Sequence, residues 1–128
     1  MQTYDPTVAP NPVAWLKLPE DQRIAIVLKY HRDHRISLPS PEGHAAFHVV
    51  VENQIALGLD SVVRAIARLQ GEGCDRHEAL HAIGSVLVNY INDLLKPGAE
   101  GLTDLQHEKY SEELDRLTLD SWHKKYGN

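Results

Sequence analysis

Two pairs of histidines carry the chemistry this chain offers. His77 and His81 bound the stretch His77-Glu78-Ala79-Leu80-His81, which spells H-E-x-x-H. On a helix that spacing puts two imidazoles on one face, a turn apart. The carboxylate beside them is of the type that serves as general base toward metal-bound water. His44 and His48 repeat the i,i+4 spacing upstream, also at the start of an apolar helical pattern. Eight histidines scattered through 128 positions would give roughly half an i,i+4 pair by simple counting, so two pairs exceed chance. Imidazole nitrogens suit zinc at about 2.0–2.1 Å and are also accepted by nickel, copper and iron. The expected cofactor is therefore a divalent transition metal, with His44, His48, His77 and His81 as its ligands.

Those residues must be positioned by helices, because the apolar pattern has helical period throughout. Pro6, Pro10 and Pro12 fall within seven residues, each fixing its own backbone and pushing the preceding residue toward extended conformations. Residues 1–14 are accordingly expected to be an extended arm, ended by Trp15 and Leu16 packing on the domain. Glu20 and Asp21 open a first helix, in which Ile24, Val27, Leu28 and His31 recur at helical spacing. His31 and His34 fall in its basic last turn, where they read as C-terminal cap and surface residues. Leu38-Pro39-Ser40-Pro41 breaks the chain.

A second helix from Glu42 places His44, His48, Val51 and Ile55 within about 60° of one another, with Glu52 at the edge of that stripe. Gly58 and Asp60 mark its stop and a new start. The third helix buries Val62 or Val63, Ile66 and Leu69, leaves Arg64 and Arg68 outside, and ends at Gly71-Glu72-Gly73. Asp75 caps the fourth, central helix, with Glu78 at the capping-box position, a structural role that competes with a catalytic one. Its expected stripe is His77, His81, Gly84, Val88, Ile91 and Leu95, running to about Lys96 before Pro97-Gly98. Thr103 and Asp104 then cap a last helix in which Leu105, Tyr110, Leu114, Leu117 and Trp122 cover the bundle.

Short turns would make the second and fourth helices parallel, so that both histidine pairs occupy the same end and converge on one ion. Two facts weigh against this: a helix N-terminus disfavours a cation, and a histidine on an apolar face is commonly a core residue donating to a backbone carbonyl. A metal-free helical interaction module, with a homodimer as one form of it, is thus the alternative reading, and a zinc-dependent hydrolase a minor one.

Composition excludes more than it assigns. Thirteen Lys and Arg against 18 Asp and Glu give a net charge of −5, which offers no electrostatic footprint for nucleic acid or an anionic membrane. One cysteine, Cys74, cannot form an internal disulfide, and no run approaches the roughly 18 apolar residues of a membrane helix. Met1 to Ala14 lack the basic and apolar regions of a secretory signal. The expectation is a cytoplasmic protein.

Three resemblances attach to these residues. His77, Glu78 and His81 resemble the zincin metallopeptidases, which implies two ligands and the base of a zinc-bound water. The third ligand would come from His44, His48 or Glu52, upstream, where zincins place theirs downstream. His48 to Glu52, His77 to His81 and His107 to Glu112 resemble the ligand patterns of hemerythrin-like di-iron bundles, though the inner pairs are further apart here and are separated by Gly71 and Gly73. The strings HAAFHVVVENQIALG (His44 to Gly58) and DRHEALHAIGSVL (Asp75 to Leu87) resemble a small family of uncharacterised bacterial helical proteins, a domain of unknown function. That resemblance implies a helical fold and a bacterial source, with no assigned activity. The expected architecture is all-α: one five-helix, bundle-like domain over residues 15–128 behind the Pro-rich arm.

Overall fold

The computed structural model describes residues 3–34, 40–94 and 104–126, and among them every regular element is a helix. The expected break at Leu38-Pro39, the stop at Pro97-Gly98 and the cap at Thr103 lie outside the described residues, as do the side chains of Ile91, Leu95 and Leu105. Among the described residues seven helices stand where five were expected. They are α1 (Pro12–Lys17), α2 (Glu20–Asp33), α3 (Pro41–Ala56), α4 (Asp60–Gly71), α5 (Arg76–Leu94), α6 (Asp104–Arg116) and α7 (Leu119–Tyr126).

The two extra helices have local causes. Pro12, read as part of an extended arm, instead opens α1. Its missing N–H is no loss at the first helical position, and the Asn11 side chain accepts from Ala14 N–H. At the other end, Thr118 interrupts what looked like one last helix. Its Oγ accepts from Ser121 N–H at 3.0 Å while Ser121 Oγ accepts from Thr118 N–H at 2.9 Å. This reciprocal cap starts α7 afresh.

The chain divides into two compact units, Met1–Leu59 and Asp60–Asn128. In the first, α2 and α1 pack on α3 around Tyr4, Trp15, Val27, Ala45 and Val49. Trp15 is fully buried, and its indole N–H donates to Asn53 Oδ1 at 2.8 Å, so the ring satisfies its polar edge while filling the core. Leu16, expected beside it, is exposed. Arg23 joins the same Asn53 oxygen and also holds the Leu16 and Leu18 carbonyls, tying off the end of α1. Asp5 closes a turn through Thr7 N–H and Val8 N–H, which sends Tyr4 inward. Gly58, at φ 74°, ends α3 in the left-handed conformation.

In the second unit α4, α5 and α6 pack against one another. Val62, Ala65, Ile66 and Leu69 of α4, Leu80, Ile83 and Leu87 of α5, and Tyr110 and Leu114 of α6 are all buried. Val63 is exposed, which settles the α4 stripe on Val62. Arg68, expected outside, is half-buried and donates to the Leu117 carbonyl at 2.8 Å, closing the end of α6. The buried stripe of α5 runs through Ala79, Leu80, Ile83, Val86 and Tyr90, whereas Val88 on the expected histidine stripe is 40% exposed. The sequence expectation had merged these two faces.

Candidate metal centre

In the first unit, α2 and α3 bring three imidazoles together. His31 sits one turn beyond Val27 on the buried face of α2, and His44 and His48 sit one turn apart on α3. Ring centroids are 4.7 Å apart for His31 and His44, 4.8 Å for His31 and His48, and 5.0 Å for His44 and His48. The nitrogens these three offer lie within 4.8 Å of one another. Tetrahedral zinc needs ligand nitrogens about 3.3 Å apart, given bonds of about 2.0–2.1 Å. The separations within the trio exceed that by no more than about 1.5 Å.

His31 is the residue sequence reasoning misplaced. It is 4% exposed, not a surface cap. Its Nδ1 lies 2.9 Å from the Val27 carbonyl oxygen. A carbonyl only accepts, so Nδ1 carries the hydrogen and Nε2 the lone pair. The signal was the i,i+4 continuation of Val27, outweighed in the sequence by the basic residues around it. His34, by contrast, is exposed, stacks on Tyr30 at 4.0 Å and donates to its carbonyl, as a last-turn residue should.

Glu52, at the edge of the stripe in the sequence, is 1% exposed. Tyr4, which sequence reasoning did not single out, reaches it and His48 together. The Tyr4 hydroxyl donates to Glu52 Oε2 at 2.6 Å and lies 3.1 Å from His48 Nδ1.

The second unit holds the other pair. His77 and His81 are both half-buried, with ring centroids 4.4 Å apart at 68°, and the nitrogens they offer lie within 4.8 Å of each other. Helical spacing does here what the sequence implied. Ser85 donates to the His81 carbonyl at 2.9 Å and accepts from the Trp122 indole, so the next turn of α5 is tied to α7.

Glu78 is exposed. Its N–H donates to Asp75 Oδ1 at 2.8 Å, the N-cap bond expected from the sequence, and its carboxylate accepts from the Cys74 thiol at 3.6 Å. Burial, then the neighbouring Glu78 charge, pushes the Cys74 thiol up to about 11, so at neutral pH it is not the thiolate a metal would take. His107 and Glu112, the last pair of the di-iron resemblance, are both exposed. No described helix is long and apolar enough to cross a membrane.

No family model matches the chain, and neither a curated protein nor a solved structure matches it.

Proposed function

We propose that this protein binds a divalent transition metal through imidazole nitrogens, with His31, His44 and His48 as ligands in the first unit and His77 and His81 as a second pair of ligands in the other. The observation that carries the reading is the His31, His44 and His48 trio, three rings within 5.0 Å of one another on two packed helices. Three neutral imidazoles form a donor set that zinc, nickel, copper and iron accept, whereas magnesium and calcium prefer oxygen. All these donors are uncharged when they bind, so the ion keeps its full charge. A nearby carboxylate such as Glu52 then offsets the cost of burying it.

A metal-free module is favoured by the His31 bond to the Val27 carbonyl, which is how a core histidine satisfies itself. Nothing about Glu78, exposed and engaged with Asp75 and Cys74, recruits it to hydrolysis.

The test is calorimetric titration of untagged, chelator-treated protein with zinc and nickel at pH 7.5, together with elemental analysis of protein purified without chelator. Near-stoichiometric binding that falls at least tenfold in His48→Ala supports the trio of the first unit, a loss of binding in His81→Ala supports the pair of the second, and no binding to wild type refutes the reading.

A further inference from the structure

The N-terminal segment carries Tyr4 onto α3, where its hydroxyl meets two residues one turn apart. Tyr4, His48 and Glu52 are 6%, 2% and 1% exposed, so hydrogen positions among them are held by the protein rather than exchanged freely with solvent. A phenol has one hydrogen to give, and a carboxylate oxygen accepts it. That hydrogen goes to Glu52 Oε2 over 2.6 Å. The Tyr4 oxygen is then left to accept across the 3.1 Å to His48, and the hydrogen in that bond belongs to Nδ1. A neutral imidazole protonated at Nδ1 carries its lone pair at Nε2.

The opposite tautomer would face a nitrogen lone pair with an oxygen lone pair. It becomes favourable only if the phenol turns its hydrogen from Glu52 to His48, at the expense of the shorter bond. Glu52 therefore acts on His48 without touching it, through the direction of the Tyr4 hydroxyl. His31 reaches the same state independently, through its Nδ1 bond to the Val27 carbonyl. The two rings lie 4.8 Å apart at 71°.

We infer that Tyr4 and Glu52 are positioning residues that lock His48 in its Nδ1–H tautomer and so present Nε2 as the atom that binds metal. The inference rests on the metal reading above, and it names the ligand atom and the residues that select it. It also couples the site to the N-terminal segment, because Tyr4 stands 44 residues from His48 in sequence and is seated by Trp15 and Tyr30, at ring separations of 5.7 and 6.3 Å. Outer partners of this kind typically change metal affinity about 10–100-fold.

The experiment is a long-range proton–nitrogen NMR correlation on metal-free, nitrogen-15-labelled protein at pH 7.5, paired with zinc titration of the same samples. Wild-type His48 is expected to show a protonated Nδ1 and an unprotonated Nε2. Glu52→Leu frees the Tyr4 hydroxyl to donate to Nδ1 and should move the hydrogen to Nε2. Glu52→Gln keeps an acceptor oxygen for Tyr4 and should restore the wild-type pattern. Tyr4→Phe keeps the ring packing, releases the lock, mixes the tautomers and weakens zinc about tenfold, so it carries the test if Glu52→Leu does not fold.

Wild-type His48 protonated on Nε2, or Tyr4→Phe with wild-type tautomer and wild-type zinc affinity, overturns the inference. The two proposals fail separately. Zinc binding by a wild type whose His48 carries its hydrogen on Nε2 refutes the lock and leaves metal binding standing. An Nδ1–H His48 in a wild type that ignores zinc refutes metal binding and leaves the lock.

Discussion

Adding zinc to metal-free protein should raise its melting temperature, and the size of the rise reports how much of the chain the ion holds together. A ligand that binds only the native state stabilises by mass action, about 2.7 kcal/mol at a free concentration 100 times its dissociation constant. Unfolding entropy near the transition is about 2.1 cal/mol/K per residue. For all 128 residues melting together this gives about 0.27 kcal/mol/K, and a rise of about 10 °C. If only Met1–Leu59 melts with the metal, the entropy is about 0.12 kcal/mol/K and the rise about 20 °C, confined to one of two transitions. Scanning calorimetry at pH 7.5 with and without zinc reads both quantities, and excess chelator should reverse the change. His48→Ala should lose the rise while circular dichroism still shows a helical protein. Melting temperatures unmoved by zinc, nickel and copper, with wild type and His48→Ala alike, would refute the reasoning.

The fold itself makes further commitments. Cys74 is raised from 9.0 to about 11, first by burial and then by Glu78. Folding therefore favours the protonated thiol: that contribution is complete below pH 9 and is lost as pH rises toward 11. The urea midpoint should accordingly fall more steeply between pH 8.5 and pH 10.5 in wild type than in Cys74→Ala. Tyr90, pushed up to about 12 by burial and by its 2.6 Å bond to Glu113, should stay mostly protonated at pH 11, so Tyr90→Phe should remove little of the tyrosinate absorbance at that pH, and it should cost about 1 kcal/mol in urea denaturation. Gly58→Ala should destabilise by about 1 kcal/mol, since φ there is 74° and there is open space around it. Gly71→Ala, also in open space but inside helix α4, should stabilise by about 0.5 kcal/mol.

The helical fold was legible because apolar period and caps agree along most of the chain: Gly58 stops α3, Asp75 starts α5, and Val62, Ile66 and Leu69 are buried as their spacing implies. What was missed depended on competition between local signals. Pro12 was counted with the prolines of an arm, although a proline preceded by Asn11 is as good a helix start as it is a break. Thr118 and Ser121 form a cap whose two short side chains are inconspicuous beside Leu117 and Trp122. The site was legible as two i,i+4 pairs, because helical spacing alone puts His44 near His48 and His77 near His81. His31, Tyr4 and Glu52 required the packing of α2 and of the N-terminal segment on α3, which no spacing along one helix encodes.

That packing also bears on why the histidines are there. In the first unit, His31, His48 and Glu52 occupy positions 4%, 2% and 1% exposed, where leucine or methionine would bury apolar surface and ask for no hydrogen bonds. A polar group held away from water costs roughly 1–3 kcal/mol when its bonds are incomplete, and replacing a buried polar cluster by well-packed apolar residues is often neutral or stabilising. A helix pair needing only to cohere has no use for the arrangement. Tyr4 sharpens the point, because phenylalanine would fill the same space against Trp15 and Tyr30, yet the hydroxyl is present and committed to both Glu52 and His48. The second unit gives the contrast: its α5 core stripe is made of Ala79, Leu80, Ile83 and Leu87, and its histidines lie beside that stripe rather than in it. Stability is thus supplied by positions the histidines do not occupy, and the imidazoles that do enter a core come with the partners that orient their nitrogens. Such an outlay fits a site held ready for a ligand better than it fits packing alone.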